Sequence, residues 1–168
     1  EAPVGLSEPP PIGQAMLPAG TFDGKVVMVT GGGTGLGKGM AIEFGRLGAR
    51  VAIVSRREEH RASGVAAVNE VGATAVGVSC DVRDPEAVAA AFDTITSELG
   101  PVDVLVNNAA GNFPVPAEEM SFNAWKSVTG IVLDGTFLCS TELARRCIAD
   151  DRDGVILNIG ATYSWTGG

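Results

Sequence analysis

Lys25-Val-Val-Met-Val-Thr30, followed directly by Gly31-Gly-Gly-Thr-Gly-Leu-Gly37, decides the architecture. The first six residues are a short apolar, β-rich run of the kind that forms a buried strand. The glycines come next, and then Met40, Phe44 and Leu47 recur at helical spacing until Gly48 stops them. In a strand, glycine loop and helix in that order, small residues let a pyrophosphate approach the N–H groups at the helix start. A tight turn that only needs positive φ is the plainer alternative for the same glycines.

The order repeats along the chain. Val51-Ala-Ile-Val-Ser55 reads as a second strand, residues 57–70 as a charged helix, and Thr74 to Cys80 as a third strand. Asp84-Pro85-Glu86 offers an N-cap with proline in the first turn, opening a helix that runs to the Gly100-Pro101 stop. Val102-Asp-Val-Leu-Val106 is the fourth strand. A loop rich in Asn, Gly and Pro covers 107–120, a long helix about 121–149, and Gly154-Val-Ile-Leu-Asn-Ile159 is the fifth strand. Continuous apolar strands alternating with helices require a parallel sheet covered on both faces. Right-handed crossovers then give a doubly wound, Rossmann-like α/β sheet of five strands in the order 3-2-1-4-5. Its ligand site is expected at the carboxyl ends of the strands, near the switch between the first and fourth.

Residues 1–24 carry Pro3, Pro9, Pro10, Pro11 and Pro18 and are expected to form an extended arm outside the 25–168 nucleotide-binding domain. Val155, Ile156 and Leu157 read as a strand buried on both faces and paired on both sides, yet little sequence follows to cover that edge. The expectation is a fragment, incomplete at its C-terminal end, with completion by another subunit as the alternative.

Composition narrows the partners. The 168 residues suffice for one domain, and 12 Lys+Arg against 20 Asp+Glu give a net charge of −8, which disfavours nucleic acid. No apolar run reaches the roughly 18 residues of a membrane span. Cys80, Cys139 and Cys147 form no CxxC and, with the single His60, supply no four-ligand metal site, so no metal is expected. They read as buried thiols in a reducing compartment. The absence of Lys and Arg before Lys25 removes the charged start of a secretory signal, and a bacterial-type cytoplasmic protein is expected. Because Glu1 is not an initiating Met and processing leaves no trace, the mitochondrial matrix and the peroxisome stay open.

Where an NAD site places Asp or Glu for the ribose, about 20 residues past the glycine loop, stands Ser55-Arg56-Arg57. Arginine there favours the 2′-phosphate of NADP. Alternatively, both arginines solvate the start of a helix that continues with Glu58 and Glu59.

The ordered motifs TGGGTGLG, CDV at Cys80 to Val82 and NNAAG at Asn107 to Gly111 resemble the short-chain dehydrogenase/reductase family over residues 20–168. Within it TGGGTGLGKGM, SRR, CDVRDP, NNAAGNF and SFNAWK, and also Ala15-Met-Leu-Pro18 in the arm, are similar to the 2,4-dienoyl-CoA reductases. The resemblance implies NADPH-dependent reduction of a 2,4-dienoyl-CoA to an enoyl-CoA by a homo-oligomer, a tetramer when complete. It implies NADP(H) contacts from Gly31, Gly32, Gly33, Thr34, Gly35, Leu36 and Gly37, from Ser55, Arg56 and Arg57, and from Asp81 and Val82 beside the adenine. Asn108 and Ala109 complete that set. Arg83 and Ser121 match acyl-CoA contacts, while Asn112 and Phe113 match residues lining the dienoyl group. Tyr163, the single tyrosine, resembles the displaced catalytic tyrosine of the mitochondrial-type enzymes.

Plainer roles exist for several of these residues. Asp81 and Asp84 suit helix capping, Ser121 suits the N-cap of the long helix, Phe113 beside Pro114 suits loop packing, and Tyr163 suits a rim aromatic with Trp165. Asn112 has donors and an acceptor to offer a thioester carbonyl. Hydride addition to a dienoyl thioester places negative charge on the thioester oxygen, so Asn112 and Tyr163 are the candidate catalytic donors. Most members of the family carry Ser where Ala161 stands and a lysine four residues beyond the usual tyrosine, but the only lysines here are Lys25, Lys38 and Lys126. Activity of the 168 residues alone is therefore doubtful. A 3-oxoacyl or other ketone reductase of the same family, and a non-catalytic NADP-binding module, are the competing expectations.

Overall fold

The computed structural model describes residues 16–112 and 115–161. The elements run β1 (Val26–Thr30), α1 (Gly35–Arg46), β2 (Arg50–Ser55), α2 (Glu58–Glu70), β3 (Ala75–Ser79), α3 (Pro85–Leu99) and β4 (Val104–Asn107). A short 3₁₀ turn, Ala117–Glu119, leads to α4 (Phe122–Thr129), a π-turn over Gly130–Asp134, α5 (Gly135–Ala149) and β5 (Val155–Asn158). The strands form one parallel sheet in the order β3-β2-β1-β4-β5, with Val29 of β1 opposite Ile53 of β2 and Val106 of β4. The expected doubly wound order holds.

Consecutive residues of β1 feed opposite cores, so the run is apolar throughout instead of alternating. Val26 and Met28 face α3 and α5, where they meet Phe92, Ile95, Leu105, Leu143 and Cys139. Val27 and Val29 face α1 and α2 and pack with Ala41, Val51, Ile53 and Val68. Each fully buried Val, Ile or Phe stabilises the fold by about 1.5–3 kcal/mol relative to exposure. The three cysteines are free and buried. Phe22, in the turns that precede β1, packs edge-on against Phe44 at 5.0 Å.

The Asp84 carboxylate accepts the N–H groups of Glu86 at 2.9 Å and Ala87 at 3.3 Å, capping α3 as Asp84-Pro85-Glu86 predicted. The long helix expected over 121–149 differs in one respect. It contains the π-turn, in which the Gly135 N–H reaches back to the Gly130 carbonyl. Both glycines sit against the loop after β3: a Cβ on Gly135 would lie 2.6 Å from Val82 Cγ2, and one on Gly130 would lie 3.5 Å from Arg83 Cδ. Small residues at both ends of the wide turn let the helix approach that loop.

β5 pairs with β4, Asn107 opposite Asn158. Among the described residues it has no neighbour on its other side, and Val155, Ile156 and Leu157 are 58%, 41% and 43% exposed. No described helix is long and apolar enough to cross a membrane.

Candidate dinucleotide site

The ends of β1 and β4 are joined through one hydroxyl. Thr30, buried, donates to the Val106 carbonyl at 3.2 Å and accepts the N–H groups of Asn108 and Ala109, each at 3.0 Å. A threonine hydroxyl has one donor and two acceptor positions, so Thr30 is fully used. Asn108 answers with its amide, whose Nδ2 donates to the carbonyls of Thr30 at 3.0 Å and Gly31 at 3.3 Å. This clamp holds the glycine loop against the loop after β4.

Two glycines in that loop leave no room for a side chain. A Cβ on Gly37 would lie 2.4 Å from Asn108 Nδ2 and 2.5 Å from the Gly31 carbonyl, and one on Gly33 would lie 2.1 Å from the carbonyl oxygen of His60. Gly32 and Gly33 thus pack the loop onto β1 and α2, while Gly31, Thr34, Gly35, Leu36 and Gly37 line a cleft of about 520 Å³. At the start of α1 the Thr34 side chain makes no capping bond and no acid stands in the first turn. Uncapped N–H groups and the positive end of the helix dipole suit an anion such as a pyrophosphate.

The far end of the cleft is built by Ser55, Arg56 and Arg57 after β2, and by Cys80, Asp81 and Val82 after β3. Arg83 grips Asp81 through Nε at 2.9 Å and Nη2 at 2.5 Å, and its backbone N–H adds a third bond at 3.1 Å. Arg56 reaches the same carboxylate more loosely, at 3.7 Å. The Arg83 bonds hold the Asp81 carboxyl down at about 2, well below the usual 3.8. Burial, with the charges of Asp81 and Asp84, pushes the Cys80 thiol up to about 11, so it stays protonated and unreactive near neutrality. Asn108, Ala109 and Ile131 close the other end.

The cleft therefore gathers Gly31, Thr34, Gly35, Leu36, Gly37, Ser55, Arg56, Arg57, Asp81, Val82, Asn108 and Ala109 from the sequence-derived set. The glycine loop, the uncapped α1 and the two arginines fit the pyrophosphate and adenosine end of a nicotinamide dinucleotide. Arg83 instead faces Asp81, and Ser121 caps α4 by accepting the Ala124 N–H at 3.2 Å. Asn112 is exposed on the loop after β4 and does not line the cleft. Phe113 and Tyr163 lie outside the described residues.

Sequence reasoning missed two groups. His60 lines the cleft beside Arg57. Its position one turn into the helix after the arginine pair was the available signal. Asn107 is buried, and its Nδ2 donates to Ser140 Oγ at 3.0 Å and Asn158 Oδ1 at 2.9 Å, tying β4 to α5 and β5. An asparagine ending an apolar strand run was the signal there.

Comparison with known proteins agrees with this geometry. The chain is 44% identical over 146 residues to the peroxisomal 2,4-dienoyl-CoA reductase of Rattus norvegicus, covering 85% of this chain and 49% of the relative. It is 40% identical over 144 residues to a probable 2,4-dienoyl-CoA reductase of Bacillus subtilis, covering 86% and 57%. The chain spans about half the length of the curated relatives it matches. Among solved structures, a short chain dehydrogenase from Bacillus anthracis superposes with a TM-score of 0.82 at 41% identity, covering 86% of this chain and 60% of that one. An NAD⁺-bound xylitol dehydrogenase superposes at 0.83 with 28% identity, covering 88% and 57%. The family model described as short chain dehydrogenase matches residues 25–167, and the chain belongs to that family.

Proposed function

We propose that the chain binds NADP(H) and forms the cofactor-binding part of a reductase that converts 2,4-dienoyl-CoA thioesters to enoyl-CoA. The observation that carries the cofactor choice is the end of β2, where Arg56 and Arg57 line the cleft and the residues directly after Ser55 are basic where an NAD site carries an acid for the ribose 2′-hydroxyl. Relatives named 2,4-dienoyl-CoA reductase support the substrate class, as does Ala161 where a ketone reductase of the family would carry Ser.

When bound, the nicotinamide supplies the hydride. The chain's own residues bind and orient. The N–H groups opening α1 hold the pyrophosphate, Arg56 and Arg57 meet the 2′-phosphate, and Asn108 keeps the glycine loop in place through its bonds to Thr30 and Gly31. Asn112 and Tyr163 are assigned to the thioester oxygen, where donors stabilise developing charge. Phe113 and Ser121 are assigned to the acyl-CoA. The apolar side chains exposed on β5, with Leu133 and Phe137 on the helix before it, support a homo-oligomer.

Calorimetry on the chain tests the cofactor assignment: NADPH is expected to bind more tightly than NADH, and Arg56→Ala to weaken NADPH by roughly tenfold to a hundredfold, the range for a charge-assisted bond. Equal affinities would overturn it. NADPH oxidation that depends on a dienoyl-CoA, measured on the protein at the length of its relatives, tests the reaction. Turnover of 3-oxoacyl-CoA alone would favour the ketone reductase.

A further inference from the structure

Arg83 was expected to reach an acyl-CoA, yet three of its donors are spent on Asp81. Asp81 lines the cleft at its arginine end, across from Arg56. A carboxylate here opposes the binding of an anion in two ways. It repels a phosphate directly, and it competes for the guanidinium of Arg56 that the phosphate needs. The distances show how the competition is settled. Arg83 holds the carboxylate by a paired grip at 2.5 and 2.9 Å, leaving Arg56 at 3.7 Å, beyond hydrogen-bond length.

Exposure agrees with the distances. The Arg56 side chain, which lines the cleft, is 55% exposed, against 39% for Arg83 and 30% for Asp81. The Asp81 charge is permanent at any physiological pH, since its carboxyl is held at about 2. Arg83 is the group that neutralises it, and the stem of Arg83 passes over the π-turn where Gly130 has no side chain; a Cβ there would lie 3.5 Å from Arg83 Cδ. Of the neighbouring charges, Asp84 caps α3, and Arg57 lines the cleft beside Arg56 with only a loose contact to Glu59 at 4.0 Å.

Resting on the NADP assignment above, we propose that Arg83 is a positioning residue for cofactor specificity: by occupying Asp81 it frees Arg56 for the 2′-phosphate. Arg83 touches no cofactor atom in this role. It acts through Asp81, and its effect is confined to the ligand that carries the extra phosphate.

The test is calorimetric titration of the chain with NADPH and, separately, with NADH. Replacing Arg83 by Gln is expected to weaken NADPH about fivefold while leaving NADH within about twofold, the scale of a partly exposed charge pair. Arg83→Lys, which restores the charge without the paired geometry, should recover part of the loss. In the Asp81→Asn background, Arg83→Gln should cost no further preference for NADPH over NADH, since the charge that Arg83 masks is gone; a further selective loss there would overturn the proposal. Equal weakening of both cofactors by Arg83→Gln would make Arg83 a mere brace for the loop and overturn the proposal, as would no change in either. The two assignments fail differently. A starting protein without preference for NADPH removes the phosphate reading and this inference together. A starting protein that prefers NADPH but ignores Arg83→Gln removes this inference alone.

Discussion

Thr30, at the end of β1, and Asn108, just past the end of the neighbouring β4, hold each other by two reciprocal bonds although they lie far apart in sequence. The Thr30 hydroxyl accepts the Asn108 N–H at 3.0 Å, and the Asn108 amide donates to the Thr30 carbonyl at 3.0 Å. The width of the cleft depends on this pair. Thr30→Val keeps the shape and removes the hydroxyl, leaving two half-buried N–H groups and the Val106 carbonyl without that partner. A loss of about 1–3 kcal/mol in urea unfolding is expected, with weaker cofactor binding in calorimetry. Unchanged stability would mean that water takes over the hydroxyl's place.

Gly37 should tolerate no side chain. Gly37→Ala drives a methyl against Asn108 Nδ2 and the Gly31 carbonyl, so the clamp must open. Overpacking of this kind costs about 1–3 kcal/mol. The loss should appear as a lower thermal midpoint together with reduced affinity for NADPH and NADH alike, unlike the selective loss expected at Arg56.

Tyr163→Phe removes a hydroxyl and keeps the ring. In the protein at the length of its relatives, turnover of a dienoyl-CoA should fall by roughly 10² to 10³, as on losing one donor to a developing oxyanion, while NADPH affinity is retained. Near-normal turnover would move the donor role to another residue.

Acid and alkali should act through different groups. Asp81 titrates at about 2 in the folded chain against an ordinary 3.8, so its contribution is complete above about 3.8 and is lost as pH falls toward 2. With solvent screening this is about 1 kcal/mol. Asp81→Asn should flatten that acid limb in unfolding measured against pH. Burial raises Cys80 to about 11 and Cys139 to about 12 from the ordinary 9.0. Their contribution is complete below 9 and is lost as pH climbs to 11 and 12. Native thiols should accordingly resist alkylation at neutral pH and react on unfolding.

Self-association is expected from β5. Sedimentation of the chain should show concentration-dependent association, and Ile156→Lys, which places a charge on the exposed strand, should reduce it. A monodisperse monomer across the accessible concentrations would contradict the homo-oligomer proposal.

β1, β2 and β4 were legible because each is a short apolar run buried on both faces, and the loop after β1 because its glycines stand between strand and helix. The cap at Asp84 was legible from three adjacent residues. Other features depend on pairs that the sequence does not pair. Thr30 reads as the last residue of a strand, and only the parallel neighbour β4 makes it a junction. Arg83 carries the right charge for a coenzyme phosphate, but the turn from Asp81 to Asp84 folds it back onto a carboxylate two residues away. The π-turn leaves almost no mark on periodicity, since one wide turn is short against a helix of this length.

That wide turn also absorbs one extra residue. Each residue added to a helix advances its face by about 100°. Deleting one residue between Gly130 and Asp134 would let the backbone close into an ordinary helix with its hydrogen bonds intact. Because the wide turn spreads an extra residue over a single turn, α4 and α5 would keep nearly the same faces, and the change would fall on Ile131, which lines the cleft and neighbours Gly111 across the loop after β4. Length changes at this one place would thus steer the approach to the site while sparing the sheet, making it a natural point for related chains to diverge in what they admit.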